Sequence, residues 1–361
     1  MSCSSALCRA RPGWRRPDLR IRWAALFLVA AVSLTACGNQ AVNELDDYRQ
    51  RVARVLDADA GQRSAVPRVG RYATVHNRLP TPHSSLNLLQ LLSLDRCAIG
   101  QSVATKNSAL GKVAADSQSL LTELALLRDG PACVALLNDG NPELAAKLAA
   151  ALAAKDDARL RYWWNAWTTG KEWQQFIASA AQTLDWDDAQ PAHAQNTLAA
   201  LDFALLTGSQ IQARQWPGAD ATEQHLQQLL LGESIGRWLA SQSLLTGVLN
   251  DVANMLEQRQ AGRPLCPVGR KTPQAEILQN VLIRRYAARV QPYLSQTDKL
   301  GKALLERIEG MAQLAGETPP AFNDWLAQVR LAHAEFSAAN LRHVHAWQTT
   351  LRACGLMPGS D

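Results

Sequence analysis

The residues best suited to chemistry are Gly232-Glu233-Ser234-Ile235-Gly236, which fit the G-x-S-x-G pattern of a nucleophile elbow. Asp251 or Asp298 and then His333 follow in the order Ser, Asp, His. In such a set the histidine takes the serine proton and the aspartate orients the histidine. The chemistry would be ester or acyl hydrolysis. An elbow needs a sharp strand-to-helix turn. Here the motif interrupts an apolar pattern of helical period that continues with the same face on both sides, and no glycine-rich oxyanion loop precedes it. The bland alternative is a small-x-x-x-small surface that lets another segment approach closely.

Other candidate groups are weaker. His343 and His345 lie two apart on a helix and point about 200° from each other, so they cannot share one ion. No HExxH occurs, and His333 is too far from His343 for joint ligation. The expectation is no metal and no cofactor. Trp163, Trp164, Trp167 and Trp173 place four of the nine tryptophans downstream of residue 37 within 11 residues. They could stack on a glycan or meet a membrane interface, or fill a corner where helices cross. Lys106-Asn107-Ser108 could bind a ligand, or could cap the helix that follows. Arg284, Arg285 and Arg289 form a local basic stripe, which a solvated helix face explains as well as lipid headgroups do.

The charge balance excludes one class of partner. The chain has 361 residues and a net charge of +5. Six arginines and a single aspartate in residues 1–36 account for all of that charge, leaving 31 basic and 31 acidic residues. A nucleic-acid protein would carry its basic surplus on the folded domain. Here it belongs to an arginine-rich start, followed by the apolar run Trp23–Leu34 of 12 residues. That run is shorter than the about 20 residues of a membrane-spanning helix and has signal-peptide length. Leu34-Thr35-Ala36-Cys37 then looks like a bacterial lipobox, cut before Cys37, which receives lipid. Gly38 stands where aspartate would signal inner-membrane retention. The expected location is therefore the periplasmic face of the outer membrane, with the membrane itself and an envelope protein or glycan as partners, and no nucleic acid.

Seven cysteines divide accordingly. Cys3 and Cys8 leave with the leader and Cys37 takes lipid. Cys97, Cys133, Cys266 and Cys354 remain. Export favours disulfides over free thiols, and no two of the four have the CxxC spacing of a zinc site. Of three possible pairings, Cys97–Cys133 and Cys266–Cys354 each close a segment within one half of the chain.

These groups must be positioned by helices. Alanine and leucine dominate and β-branched runs are few, which predicts an all-α, multi-helix bundle of about 9–11 helices, with two packed sub-bundles as one arrangement and little or no sheet. The predicted organisation is a signal peptide (1–36), a tether with the first helix and a loop (37–83), an N-terminal helical half (84–215) and a C-terminal helical half (216–361). Residues 84–361 could equally form one domain. Leu45, Tyr48, Val52 and Leu56 start the helical pattern, and only Tyr72–Val75 reads as extended. Gly130-Pro131 should end a helix, and Asn141-Pro142 and Thr272-Pro273 should start others. One long helix is expected over about 221–260. Pro292 should break or kink the helix before it, so that a new one runs from Tyr293 to Leu314, and Thr318 should cap the last one.

Leu94-Asp95-Arg96-Cys97-Ala98-Ile99, Lys106-Asn107-Ser108-Ala109-Leu110-Gly111-Lys112-Val113 and Cys133 are similar to a family of uncharacterised proteobacterial lipoproteins, domain of unknown function 3080. Tyr48-Arg49, Trp164-Asn165-Ala166, Cys266-Pro267 and Val290-Gln291-Pro292-Tyr293-Leu294 resemble its other landmarks. Lys106 stands where that family has arginine. The resemblance implies lipid anchoring and no particular reaction, substrate or cofactor. The leading functional expectation is a binding or scaffolding role in the envelope, with an enzyme using Ser234, or glycan binding by the tryptophans, as the alternatives.

Overall fold

Apolar residues at three- and four-residue steps drive this chain into helices. In the computed structural model 76% of the described residues are helical, with no strand among them. The structure describes residues 40–82, 94, 97–109, 111, 114–178, 180, 182–187, 192–217, 220–232, 235–267 and 270–357. Leu34–Cys37 and Ser234 lie outside them.

Ten helices of eight residues or more carry the fold, counting one continuous rod once. They are α1 (Gln40–Val55), α2 (Gly100–Asn107), α3 (Asp116–Asn138), α4 (Pro142–Asp157), α5 (Arg159–Thr168), α6 (Ala192–Gln212), α7 (Asp220–Leu231) and α8 (Ile235–Ala261). The rod α9 joins three stretches, Pro273–Val281, Leu282–Val290 and Gln291–Ala315, and α10 is Pro320–Ala353. A short helical turn, Lys171–Phe176, follows α5. Residues Ala41–Asp361 pack as one compact unit. No helix of the described residues is long and apolar enough to cross a membrane.

Where local chemistry fixes a helix end, the sequence signal holds. Asn141 and Thr272 accept hydrogen bonds from the amides three residues on, and a proline opens the helix after each. Where distant packing decides, the expectation changes. The helix ending expected at Gly130-Pro131 does not occur, because α3 runs through Pro131 to Asn138. The single helix expected over 221–260 is two, α7 and α8, parted at the glycine-serine motif. An α-helix does open at Pro292, as Gln291–Ala315, but it continues the rod without a gap. A π-helical stretch precedes it, in which the Gln291 amide bonds back five residues to the Tyr286 carbonyl. That wider winding absorbs the proline, which has no amide hydrogen to donate. Tyr72–Val75 leads into a single 3-10 turn, Thr74–Asn77. Pro319 takes the cap position of α10, while the Thr318 hydroxyl bonds the Asn323 side chain.

α8 and α10 form the central pair, with α9 antiparallel to both. Trp238 donates to the Thr297 carbonyl, the Tyr293 hydroxyl meets Ser241, and Arg342 pairs with Glu257. α1 lies across this group. Its Tyr48 hydroxyl reaches His343 Nε2 at 2.7 Å, and Trp347 Nε1 donates to both groups. Since the indole can only donate, His343 Nε2 is an acceptor and the imidazole is neutral. Its Nδ1 has no hydrogen-bond partner. Burial pushes the His343 pKa down to about 3.

A second, smaller core sits apart from the main one. Leu94, Cys97, Ile99, Leu126, Cys133, Leu144 and Leu148 form it, between α2, α3 and α4. The expected disulfides are both present, Cys97–Cys133 stapling this small core and Cys266–Cys354 tying the entry of α9 to the end of α10.

Candidate functional site

An extended strap, residues 58–72, crosses α8 and roofs a cleft. Its first end is pinned by buried charge. Arg49 on α1 donates to the carbonyls of Ala60 and Gly61 and lies 3.6 Å from Asp46 and 3.7 Å from Asp251. Asp251 accepts from the Ser64 amide at 3.2 Å and from its hydroxyl at 2.6 Å. The other end is pinned by Tyr72, whose hydroxyl accepts from Trp173 Nε1 and Asn77 Nδ2, each at 2.8 Å. Burial raises the Tyr72 pKa above its ordinary value, so this hydroxyl stays protonated.

Beneath the strap lies a narrow cleft of about 40 Å³. Val66 to Gly70 form the roof. Gly236, Leu239, Gln242, Ser243 and Thr246 of α8 form one wall, and Trp325 and Ala332 of α10 the other. The motif glycines give this wall its shape. A Cβ on Gly236 would lie 1.9 Å from the Ala178 carbonyl oxygen, and one on Gly232 would lie 2.2 Å from Thr197 Oγ1. Both glycines are therefore close-approach positions, as the small-x-x-x-small alternative requires.

The hydrolase constellation does not assemble among the described residues. α7 ends at Leu231 and α8 begins at Ile235, so no strand among the described residues precedes the motif. Asp251 is committed to the strap. His333 bonds Gln242 Oε1 through Nδ1 at 3.0 Å, and its Nε2 lies 3.9 Å from Asp298. Gln242 and Asp251 are nine residues apart on α8, about 13 Å along its axis, so Asp251 does not serve His333. Burial lowers the His333 pKa, and Asp298 partly opposes this. The cleft thus offers an amide, two hydroxyls, the Arg68 guanidinium at its rim and an apolar floor. These groups can orient a ligand, and no described base stands ready to activate a nucleophile.

The tryptophans are corrected from ligand platform to core. Trp163, Trp164 and Trp173 are 0% exposed and Trp167 is 1% exposed. Three of their indoles are tied inward, Trp163 to the Ala204 carbonyl, Trp164 to the Asn77 carbonyl and Trp173 to Tyr72. Asn165 holds both backbone groups of Leu79. The Trp164-Asn165 landmark is therefore a clamp on residues 77–79.

Lys106 and Ser108 are likewise structural. Ser108 closes α2 as its C-cap, its hydroxyl donating to the Thr105 carbonyl, and the same hydroxyl accepts from the Gly111 amide at 3.0 Å, as a cap of the turn that follows does. The Asn107 side chain lies outside the described groups. Lys106 pairs with Glu123, which is 2% exposed and also accepts from Lys155 at 2.6 Å. Burial pushes the Lys155 pKa below its ordinary value, against the pull of Glu123. Arg285 and Arg289 of the basic stripe pair with Asp47 and Glu44 on α1. No cluster of three or more histidine, cysteine or acidic groups that could hold a metal occurs among the described residues.

A family model described as Protein of unknown function (DUF3080) matches residues 45–358. The chain belongs to that family. No curated protein and no solved structure matches it. The DUF3080 match runs from α1 to just past Cys354 and so takes in the strap, the cleft and both disulfides. Sequence reasoning did not find Arg49 with Asp251, Glu123 with Lys155, or His343 with Tyr48. The first and last pairs join residues 202 and 295 positions apart and leave no local spacing signal.

Proposed function

We propose that this DUF3080 protein is a lipoprotein, anchored through Cys37 to the periplasmic face of the outer membrane, and that it works as a binding or scaffolding module of the cell envelope. One observation carries the reading. All four cysteines downstream of the lipobox are paired in disulfides, which suits an oxidising compartment, and Cys37 is the only thiol left for acylation after cleavage. The positive start, the short apolar run and the small residues before Cys37 support the same reading. The cleft supports binding over turnover, because its one charged lining group is the Arg68 guanidinium, which cannot act as a base, and His333 is engaged by Gln242.

Cys37→Ser tests the anchor. It should abolish acyl labelling and release the protein from the membrane fraction, and labelling that persists overturns the lipoprotein reading. In-cell photocrosslinking from Arg68, at the cleft rim, tests the module. A defined adduct that disappears when Ser243→Trp fills the cleft is expected. Ester turnover by the purified protein that is lost in Ser234→Ala would replace the binding reading with an enzyme.

A further inference from the structure

The outer face of α10 is apolar where solvent should demand polarity. Ala327, Leu331, Ala334, Ala338, Leu341 and His345 recur at steps of 4, 3, 4, 3 and 4, and all six are exposed. Leu331 is 60% and Leu341 71% exposed, while Phe336, on the opposite side of the helix, is 1% exposed. Alternating steps of three and four are the seam of a coiled coil, and a seam facing water lacks its partner helix.

The order along this seam identifies the partner. It reads nearly the same in both directions about position 336. Leu331 mirrors Leu341, Ala334 mirrors Ala338, and Ala327 mirrors His345. An isologous two-fold contact requires such self-complementarity, because residue i on one copy must suit residue j on the other and the reverse. Antiparallel α10 helices sharing this centre place Leu331 opposite Leu341 of the second copy. Ala334 then faces Ala338, and both are small enough for close approach.

A second feature fits the same arrangement. An open groove of about 690 Å³ lies beside the seam, lined by the apolar Leu205, Leu305 and Ala334 and by the charged Lys302, Glu306, Glu309 and Arg330. With 100° per residue, Leu341 and Val344 lean to the same flank of α10 as Arg330 and His333. The two-fold then carries them to the height of residues 328–331 on the other copy, at the mouth of that groove. Val344 is 37% exposed.

We propose that two copies of this chain associate through α10, antiparallel about position 336, with Leu341 and Val344 of each copy entering the groove of the other. The seam spans 19 residues, about 27 Å, and with a width of about 10 Å it buries roughly 600 Å² in total. Filling the two grooves raises this toward the about 1,200 Å² at the lower end of stable interfaces. The pair is thus a weak dimer. The same symmetry sets the two Glu335 carboxylates on one flank, which weakens it further.

Sedimentation of the purified protein from about 1 μM to about 1 mM tests this. A monomer–dimer equilibrium is expected, weakened about 100-fold by Leu341→Asp, which alters a residue outside the core and should leave the helical spectrum unchanged. Register has its own test. In a mixture of Ala334→Cys and Ala338→Cys proteins, oxidation should join unlike chains in preference to like ones. A protein that stays monomeric at about 1 mM overturns the proposal, and so do crosslinks that join like chains preferentially.

Discussion

The main core and the small core between α2, α3 and α4 solve the same problem with different means. The main core stacks large rings, with five tryptophans below 2% exposure, and its buried polar groups sit in networks such as Tyr48–His343–Trp347. The small core has seven buried residues, none aromatic. It adds a disulfide across 36 residues and a buried carboxylate held between two ammonium groups. Apolar burial grows faster than surface as a domain enlarges, so a small cluster leans on covalent and ionic ties that a large one can do without.

The largest expected effect tests the main core. His343 is neutral in the fold and its pKa is about 3, below the about 6.5 of the unfolded chain. Its contribution is fully present above pH 6.5 and is lost as pH falls toward 3, at about 1.4 kcal/mol per unit and about 5 kcal/mol in all. Urea unfolding as a function of pH should show this slope, and His343→Gln should flatten it. A slope unchanged in the variant would remove His343 from the account.

The next effect separates the two cores. Replacing Cys97 and Cys133 by serine should cost about 4 kcal/mol from loop-closure entropy. Hydrogen exchange should locate that loss in α2–α4 and leave α8 and α10 protected. Uniform loss of protection would mean that the two cores unfold as one. Glu123→Gln should cost about 3 kcal/mol in the same lobe, because it strands Lys155, whose side chain is 5% exposed, without its counter-charge. The smallest effect is Asn141→Ala, about 1 kcal/mol from the lost cap of α4, read as a shift in the lobe's unfolding midpoint.

The same contrast explains what the sequence could reveal. Helix class and the starts of α4 and α9 were legible because capping and apolar period act within a few residues. Both disulfides followed from counting cysteines and dividing the chain. Gly130-Pro131 misled, a local breaker overruled by packing from elsewhere, whereas Pro292 does mark the opening of Gln291–Ala315. The glycine-serine motif misled in another way. Its glycines serve close contacts with Ala178 and Thr197, which a five-residue pattern cannot distinguish from an elbow. Asp251, Trp164 and Trp173 were visible as residues, but their task of holding residues 58–79 in place depends on contacts across most of the chain.

The π-helical stretch Leu282–Val290 also governs which mutations this chain can absorb. Its wide winding sets the angle at which the 25-residue stretch Gln291–Ala315 meets the core. Deleting one codon there would let the rod rewind as plain α-helix and leave the stretch beyond it near its present phase, because a π turn holds about one residue more than an α turn. A deletion at Leu294, inside the α-helical part, would instead turn every later residue of the rod by about 100° and shift it by about 1.5 Å. Thr297, Gly301 and Ile308 would then swing away from their neighbours together. The π-helical stretch is thus where this rod can change its length at least cost.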